Sequence, residues 1–149
     1  MTIPPFDENG NLPPGIHWVT WDEFKERFGT NYKRLRQIEG LKKAMEQLKA
    51  AGCRTIYING SFVTSKTYPN DFDACWDIDD TDLDYLRIHA PRLLNYTDSA
   101  AQKAMYRGEI YFSEQRVGSY EETSIEFFQQ DRSKNRKGII AIDLLRWKA

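Results

Sequence analysis

At 149 residues, 40% hydrophobic and 29% charged, the chain has the size and composition of one soluble domain with a core large enough to fold unaided. A formal net charge of −1 excludes a general electrostatic pull toward nucleic acid or anionic membrane. The two cysteines, Cys53 and Cys75, lack metal-ligand spacing and read as reduced thiols, and no apolar run has the length of a signal peptide or a membrane span, so the expected location is the cytoplasm.

Residues 1–19 read as an extended N-terminal arm, because Pro4, Pro5, Pro13 and Pro14 are four of the six prolines and Asn9-Gly10 and Gly15 supply turns. Residues 20–149 are expected to form a single domain. A short amphipathic helix begins at Thr20, which makes a capping box with Glu23, and stops at Gly29 after Trp21, Phe24 and Phe28. A longer one runs from the Asn31 cap to about Ala51, with Tyr32, Leu35, Ile38, Leu41, Met45 and Leu48 at three- and four-residue steps and Gly52 as its stop. Lys33, Arg34, Arg36, Lys42, Lys43 and Lys49 on its other side read as a solvated face.

The run RTIYIN, residues 54–59, is β-branched and alternating, which predicts a strand, and Gly60-Ser61 turns the chain after it. A second strand is expected from Asp71. In DFDACWD, Phe72, Ala74 and Trp76 point into the core, while Asp71, Asp73, Cys75 and Asp77 share the opposite, open face. Residues 81–94 and 98–107 are expected to be helical, the first capped by Thr81 or Asp80 and interrupted by Pro91. The last elements read as a hairpin, SIEFFQQ and GIIAIDLL, around a solvated tip carrying Arg132, Lys134, Arg136 and Lys137. The fold class is therefore α+β: a small mixed or antiparallel sheet backed by helices on one face, with a Pro-rich N-terminal arm.

Two aspartates at i and i+2 on a strand put their carboxylates on one face, ~6 to 7 Å apart at the base, where they can share one or two divalent ions. Magnesium suits such a pair, because it takes oxygen ligands and completes its shell with water and substrate phosphate, which makes a nucleoside triphosphate the natural partner. Gly60 lets backbone amides approach a phosphate closely, Ser61 offers a hydroxyl and an amide to the same anion, and Lys66 adds charge. The run Asp77, Asp79, Asp80, Asp82 and Asp84 lacks the glycine and glutamate of a calcium loop and reads as helix capping and solvation. His17 and His89 stand without a partner at ligand spacing, and Trp18 and Trp21 read as packing residues.

A strand, a Gly-Ser turn and Asp-x-Asp on the next strand, here Gly60, Ser61, Asp71 and Asp73 within residues 54–77, resemble the signature of the nucleotidyltransferase superfamily that includes DNA polymerase β and kanamycin nucleotidyltransferase. The size is similar to that of the minimal bacterial nucleotidyltransferase domains often paired with toxin proteins. The LPPG arm, the WDEF helix, the AAGCR helix end and the FFQQD and KGIIAID segments look like a small bacterial family of uncharacterised nucleotidyltransferase-like proteins.

The resemblance implies that Asp71 and Asp73 hold magnesium bridging the triphosphate, and that Gly60 and Ser61 cradle phosphate. A third carboxylate on a later strand then helps to activate the attacking hydroxyl while pyrophosphate leaves. Glu126 in SIEFF is the first candidate for it, Asp143 in IIAIDLL the second and Glu109 in RGEIYF the third, because strand register decides which of them faces the aspartates. The expected function is magnesium-dependent transfer of a nucleoside monophosphate to a hydroxyl of a protein, RNA or small molecule. The alternatives are a non-catalytic, antitoxin-like interaction protein of the same fold, bound to a toxin-type partner, and a nucleotide sensor.

Overall fold

The computed structural model describes residues 3–112, 116–117, 122–123, 129 and 136–148. The elements run β1 (Ile16–Trp18), α1 (Trp21–Phe28), α2 (Tyr32–Ala50), β2 (Thr55–Asn59), β3 (Phe72–Trp76), α3 (Leu83–His89), α4 (Ser99–Tyr106), β4 (Gly108–Phe112), β5 (Arg116–Val117), β6 (Glu122–Thr123) and β7 (Ile139–Asp143). Five of the strands form one mixed sheet in the order β1-β7-β2-β3-β4, with β5 and β6 paired separately. Strands β2, β3 and β7 pair antiparallel through β2, whereas β1 runs parallel to β7 and β4 parallel to β3. The expected α+β class is the observed one.

The four helices among the described residues lie on one face of the sheet, because their apolar residues and those of alternate strand positions merge into one core. Trp21, Phe24 and Phe28 of α1, Leu41, Met45 and Leu48 of α2, Leu86 of α3 and Tyr106 of α4 meet Ile56, Ile58, Ala74, Trp76, Ile110 and Ile142. The capping box at Thr20 and Glu23 is present, as is the Asn31 cap, whose side chain accepts from the Arg34 amide. Helix α3 is shorter than the periodicity predicts: Asp82 caps it by accepting from the Tyr85 amide, it ends at His89, and a 3-10 turn takes over at Pro91.

The opposite sheet face is not uniformly open. Cys75 is fully buried there with Tyr57, Ile139 and Ala141, so the strand alternation sorts these residues correctly while their exposure depends on neighbouring strands. Both cysteines are free and buried.

A second departure lies in α2. Tyr32 and Leu35 are exposed, at 75% and 46%, whereas Arg34, expected on the solvated face, is 3% exposed. Arg34 stands four and seven residues before Ile38 and Leu41, so it continues the buried stripe that Met45 and Leu48 extend.

The N-terminal segment expected as an arm is laid on the domain. Leu12 is fully buried, Gly138 N donates to Leu12 O at 2.9 Å, Ser65 N donates to Gly10 O at 2.9 Å, and Ile16–Trp18 join the sheet as β1. Strand β7 has β1 on one edge and β2 on the other. The first arm of the expected C-terminal hairpin, residues 124–130, lies outside the described residues except for Gln129. Among the described residues no helix is long and apolar enough to cross a membrane.

Candidate functional site

Register brings the candidate residues into a row. Asn59 at the end of β2 is paired with Asp73 on β3, and Asp73 with Glu109 on β4. Directly paired residues share a face and neighbouring strands lie ~4.8 Å apart, so an amide and two carboxylates stand side by side across three strands. Asp71 lies on the same side, two residues before Asp73 at the entry to β3.

The Gly-Ser turn follows directly. Gly60–Val63 form a single 3-10 turn after β2, and Gly60 has φ +78°, a backbone conformation that favours glycine. A Cβ built on Gly60 meets Asp73 Oδ2 at 2.5 Å, so the glycine is what allows the carboxylate to lie against the turn.

The loop between the turn and β3 is held from behind by one flank of α2. The buried Arg34 guanidinium donates through Nη1 to Phe62 O at 2.7 Å and Phe28 O at 3.3 Å, and through Nη2 to Thr64 O at 3.0 Å and to Lys66 O. Asn31 Nδ2 donates to Thr67 O at 2.8 Å and Gln37 Nε2 to Pro69 O at 2.7 Å. Three side chains at three-residue steps thus take up five carbonyls of one loop, Phe62 through Pro69, which fixes the approach to Asp71. Lys66 itself is exposed, and its carbonyl rather than its ammonium has the defined partner.

On the other flank, Gln102 of α4 is fully buried and locks to the edge strand β4. Its Nε2 donates to Ile110 O at 3.0 Å and its Oε1 accepts from Ile110 N at 3.0 Å, which also covers backbone groups of an otherwise open sheet edge. This lock sets the next residue, Lys103, beside Glu109. Lys103 Nζ lies 3.1 Å from Glu109 Oε1 and 3.2 Å from Asp71 Oδ2, bridging two of the three carboxylates. Tyr111 OH donates to Glu109 Oε2 at 2.9 Å.

The electrostatics follow from this crowding. Burial first, then the charges of Asp71 and Glu109, push the Asp73 carboxyl up to about 7, against the opposing pull of Lys137 and Lys103. The two carboxylate contacts push the Lys103 ammonium upward. The Tyr111 phenol is pushed up by burial and by its bond to Glu109. Asn59 is fully buried, and neither its Oδ1 nor its Nδ2 has a hydrogen-bond partner among the described residues.

Of the residues singled out by sequence, Gly60, Asp71 and Asp73 come together and Ser61 adjoins them. Of the two candidates among the described residues, Glu109, the third choice for the extra carboxylate, is the one paired with Asp73. Asp143 is paired with Thr55, four residues from Asn59 along β2, or ~13 Å at strand spacing, and does not belong to the row. Glu126 lies outside the described residues. A cavity of about 690 Å³ lined by Trp18, Trp21, Ile142, Asp143, Arg146 and Trp147 opens at that same far end of the sheet.

Arg34, Asn59, Lys103 and Tyr111 were not legible as site residues. Arg34 did carry a signal, its place on the buried stripe, and so did Asn59, the one carboxamide in the strand TIYIN. The position of Lys103 depends on α4–β4 docking.

The donor set of Asp71, Asp73 and Glu109 is hard oxygen, which matches magnesium or manganese in chemistry, and a cation beside Asp73 relieves the like-charge crowding that raises its proton affinity. As the side chains stand, no group of three or more His, Cys, Asp or Glu among the described residues is arranged to hold a metal. Asp71 and Glu109 are instead turned onto the Lys103 ammonium.

No curated protein and no solved structure matches the chain. A family match spans residues 4–143, covering every element from β1 to β7, and the chain therefore belongs to a family of unknown function, DUF6932.

Proposed function

We propose that the protein is a magnesium-dependent nucleotidyltransferase that moves a nucleoside monophosphate from a nucleoside triphosphate to a hydroxyl of a protein, RNA or small molecule. The observation that carries this reading is the packing of Asp73 against Gly60 with Glu109 one strand away, because it joins a close-approach glycine turn to a row of carboxylates. In this reading the amides of the Gly60-Ser61 turn and the Ser61 hydroxyl receive phosphate oxygens, and Lys66 adds charge at the rim. Asp71 and Asp73 hold magnesium, with Glu109 rather than Asp143 as the third carboxylate. A bound magnesium ion supplies charge neutralisation at the triphosphate and at the leaving pyrophosphate.

Glu109 takes the proton of the attacking hydroxyl as the oxygen–phosphorus bond forms at the α-phosphate and the bond to pyrophosphate breaks. The hydrogen bond from Tyr111 holds its carboxylate in place. Arg34, behind the loop, keeps the phosphate-receiving turn in register with Asp71.

The test is label transfer from each of the four α-labelled nucleoside triphosphates with magnesium and a lysate as the source of acceptors. Label with wild type and none with Asp73→Asn supports the reading, and equal label with both removes it. A second reading, a nucleotide sensor or an antitoxin-like binding partner that transfers nothing, is favoured by the Lys103 bridge, which pairs two carboxylates with one ammonium and no metal. Magnesium-dependent nucleotide binding with no label under any condition selects sensing, and an obligate complex with a second protein selects the partner role.

A further inference from the structure

The carboxylate row has a cation of its own. Lys103 Nζ sits 3.2 Å from Asp71 Oδ2 and 3.1 Å from Glu109 Oε1, where a divalent ion shared by those oxygens would also have to sit. An ammonium has half the charge of such an ion and not its coordination geometry, and the two cannot occupy one position. Strong hydration and a flexible four-carbon stem make a lysine suited to leaving it, whereas an arginine fork would hold the carboxylates more rigidly.

Two further observations bear on that exchange. The side chain of Lys103 is 44% exposed, so the ammonium has solvent to move into. Its Cα does not have that freedom, because the neighbouring Gln102 exchanges two hydrogen bonds with Ile110 and holds α4 against β4. The stem is therefore anchored within reach of the site whichever way its end points. A cation held by Asp71, Asp73 and Glu109 would bring its phosphate ligands to the same edge, and a displaced ammonium meets them there.

We propose that Lys103 is the resident counter-ion of the site, exchanged for a divalent cation on loading and then donating to the phosphate chain that the cation carries. The inference rests on the nucleotidyltransferase reading and assigns Lys103 two successive contacts within it: the carboxylates when the site is unloaded, and phosphate when it is loaded. Free cation and cation-bound phosphate consequently compete and cooperate with the same ammonium in opposite directions.

The test measures binding rather than activity, with manganese alone and with manganese plus inorganic triphosphate, which presents the phosphate chain without a base. Lys103→Gln is expected to bind manganese about three- to tenfold more tightly than wild type, the range that loss of two partly exposed ion pairs allows. The same variant is expected to bind manganese triphosphate several-fold more weakly, and Lys103→Arg, whose fork holds the carboxylates more rigidly, is expected to bind free manganese more weakly than wild type. Unchanged or weaker manganese binding by Lys103→Gln overturns the counter-ion role. Tighter manganese binding with triphosphate affinity unchanged or increased overturns the phosphate contact.

If manganese binds to neither protein, the inference and the magnesium-dependent reading fall together. If the opposed shifts are found but no label is transferred by wild type, the inference stands and nucleotidyl transfer alone is removed.

Discussion

Gly60 and Asp73 are fitted to each other across β2 and β3: the glycine adopts φ +78°, and the Asp73 carboxylate occupies the space in which any Cβ at position 60 would lie. Gly60→Ala therefore carries two penalties. A left-handed conformation costs a non-glycine residue about 1–2 kcal/mol, and the new methyl pushes Asp73 Oδ2 out of the row. The expected result is a loss of stability of that size in urea unfolding together with loss of label transfer. An Ala variant with wild-type transfer would show that the contact does not position the carboxylate.

Asp73 also makes stability depend on pH. Its carboxyl is raised from 3.8 to about 7 in the folded protein by burial and by Asp71 and Glu109. Between those two values the native state holds a proton that the unfolded chain has released, so stability falls as pH rises through that window, by at most ~1.4 kcal/mol per pH unit. Below pH 3.8 both states are protonated and above 7 both are ionised, so the contribution of Asp73 levels off at each end. Asp73→Asn is expected to flatten the slope between pH 4 and 7 and to be more stable than wild type at pH 8. Parallel unfolding curves for the two proteins across this range would remove the buried-carboxylate account.

The α2 clamp yields a prediction of a different kind, about local opening. Arg34 donates to carbonyls of Phe28, Phe62, Thr64 and Lys66, a spread that a planar fork with several donors can span and a single ammonium cannot. Arg34→Lys keeps the charge and leaves some of those buried acceptors unmet. The loop amides of Thr64 and Ser65, which donate to Ser61 O and Gly10 O, are expected to lose about tenfold in hydrogen-exchange protection, equivalent to ~1.4 kcal/mol of easier opening. Unchanged exchange at both amides would mean that the arm and the turn hold the loop without Arg34.

What the sequence makes legible here is what short-range chemistry specifies. The Thr20–Glu23 box, the Asn31 cap, the strand at 55–59 and the turn at Gly60 are each decided by residues within a few positions of one another, and each is found where those residues put it. The alternation of DFDACWD likewise sorts Phe72, Ala74 and Trp76 into the core. The carboxylate beside Asp73 is a different problem, because Glu109 reaches Asp73 only through the parallel β3–β4 register, which forms across 35 intervening residues and two helices. The same holds for the burial of Cys75, which depends on Tyr57, Ile139 and Ala141 from neighbouring strands. Arg34 shows a misreading of another sort: a charge suggested a solvated face although its spacing to Ile38 and Leu41 already placed it on the buried stripe.

Asn59 offers the sharpest separation of stability from function. It is fully buried at the end of β2, paired in register with Asp73, and both polar atoms of its side chain lack partners among the described residues. A buried amide in that condition costs about 1–3 kcal/mol relative to one that is satisfied. Leucine has the same branched heavy-atom skeleton and no polar atoms, so Asn59→Leu is expected to stabilise the protein by about 1 kcal/mol, read as a rise of ~2–4 °C in Tm. If the carboxamide is retained for what happens beside Asp73, the same variant loses nucleotide binding or transfer while its stability rises. A fall in Tm would instead make Asn59 a structural residue whose partner forms in solution, and an increase in Tm with full function would leave the carboxamide without a role in the site.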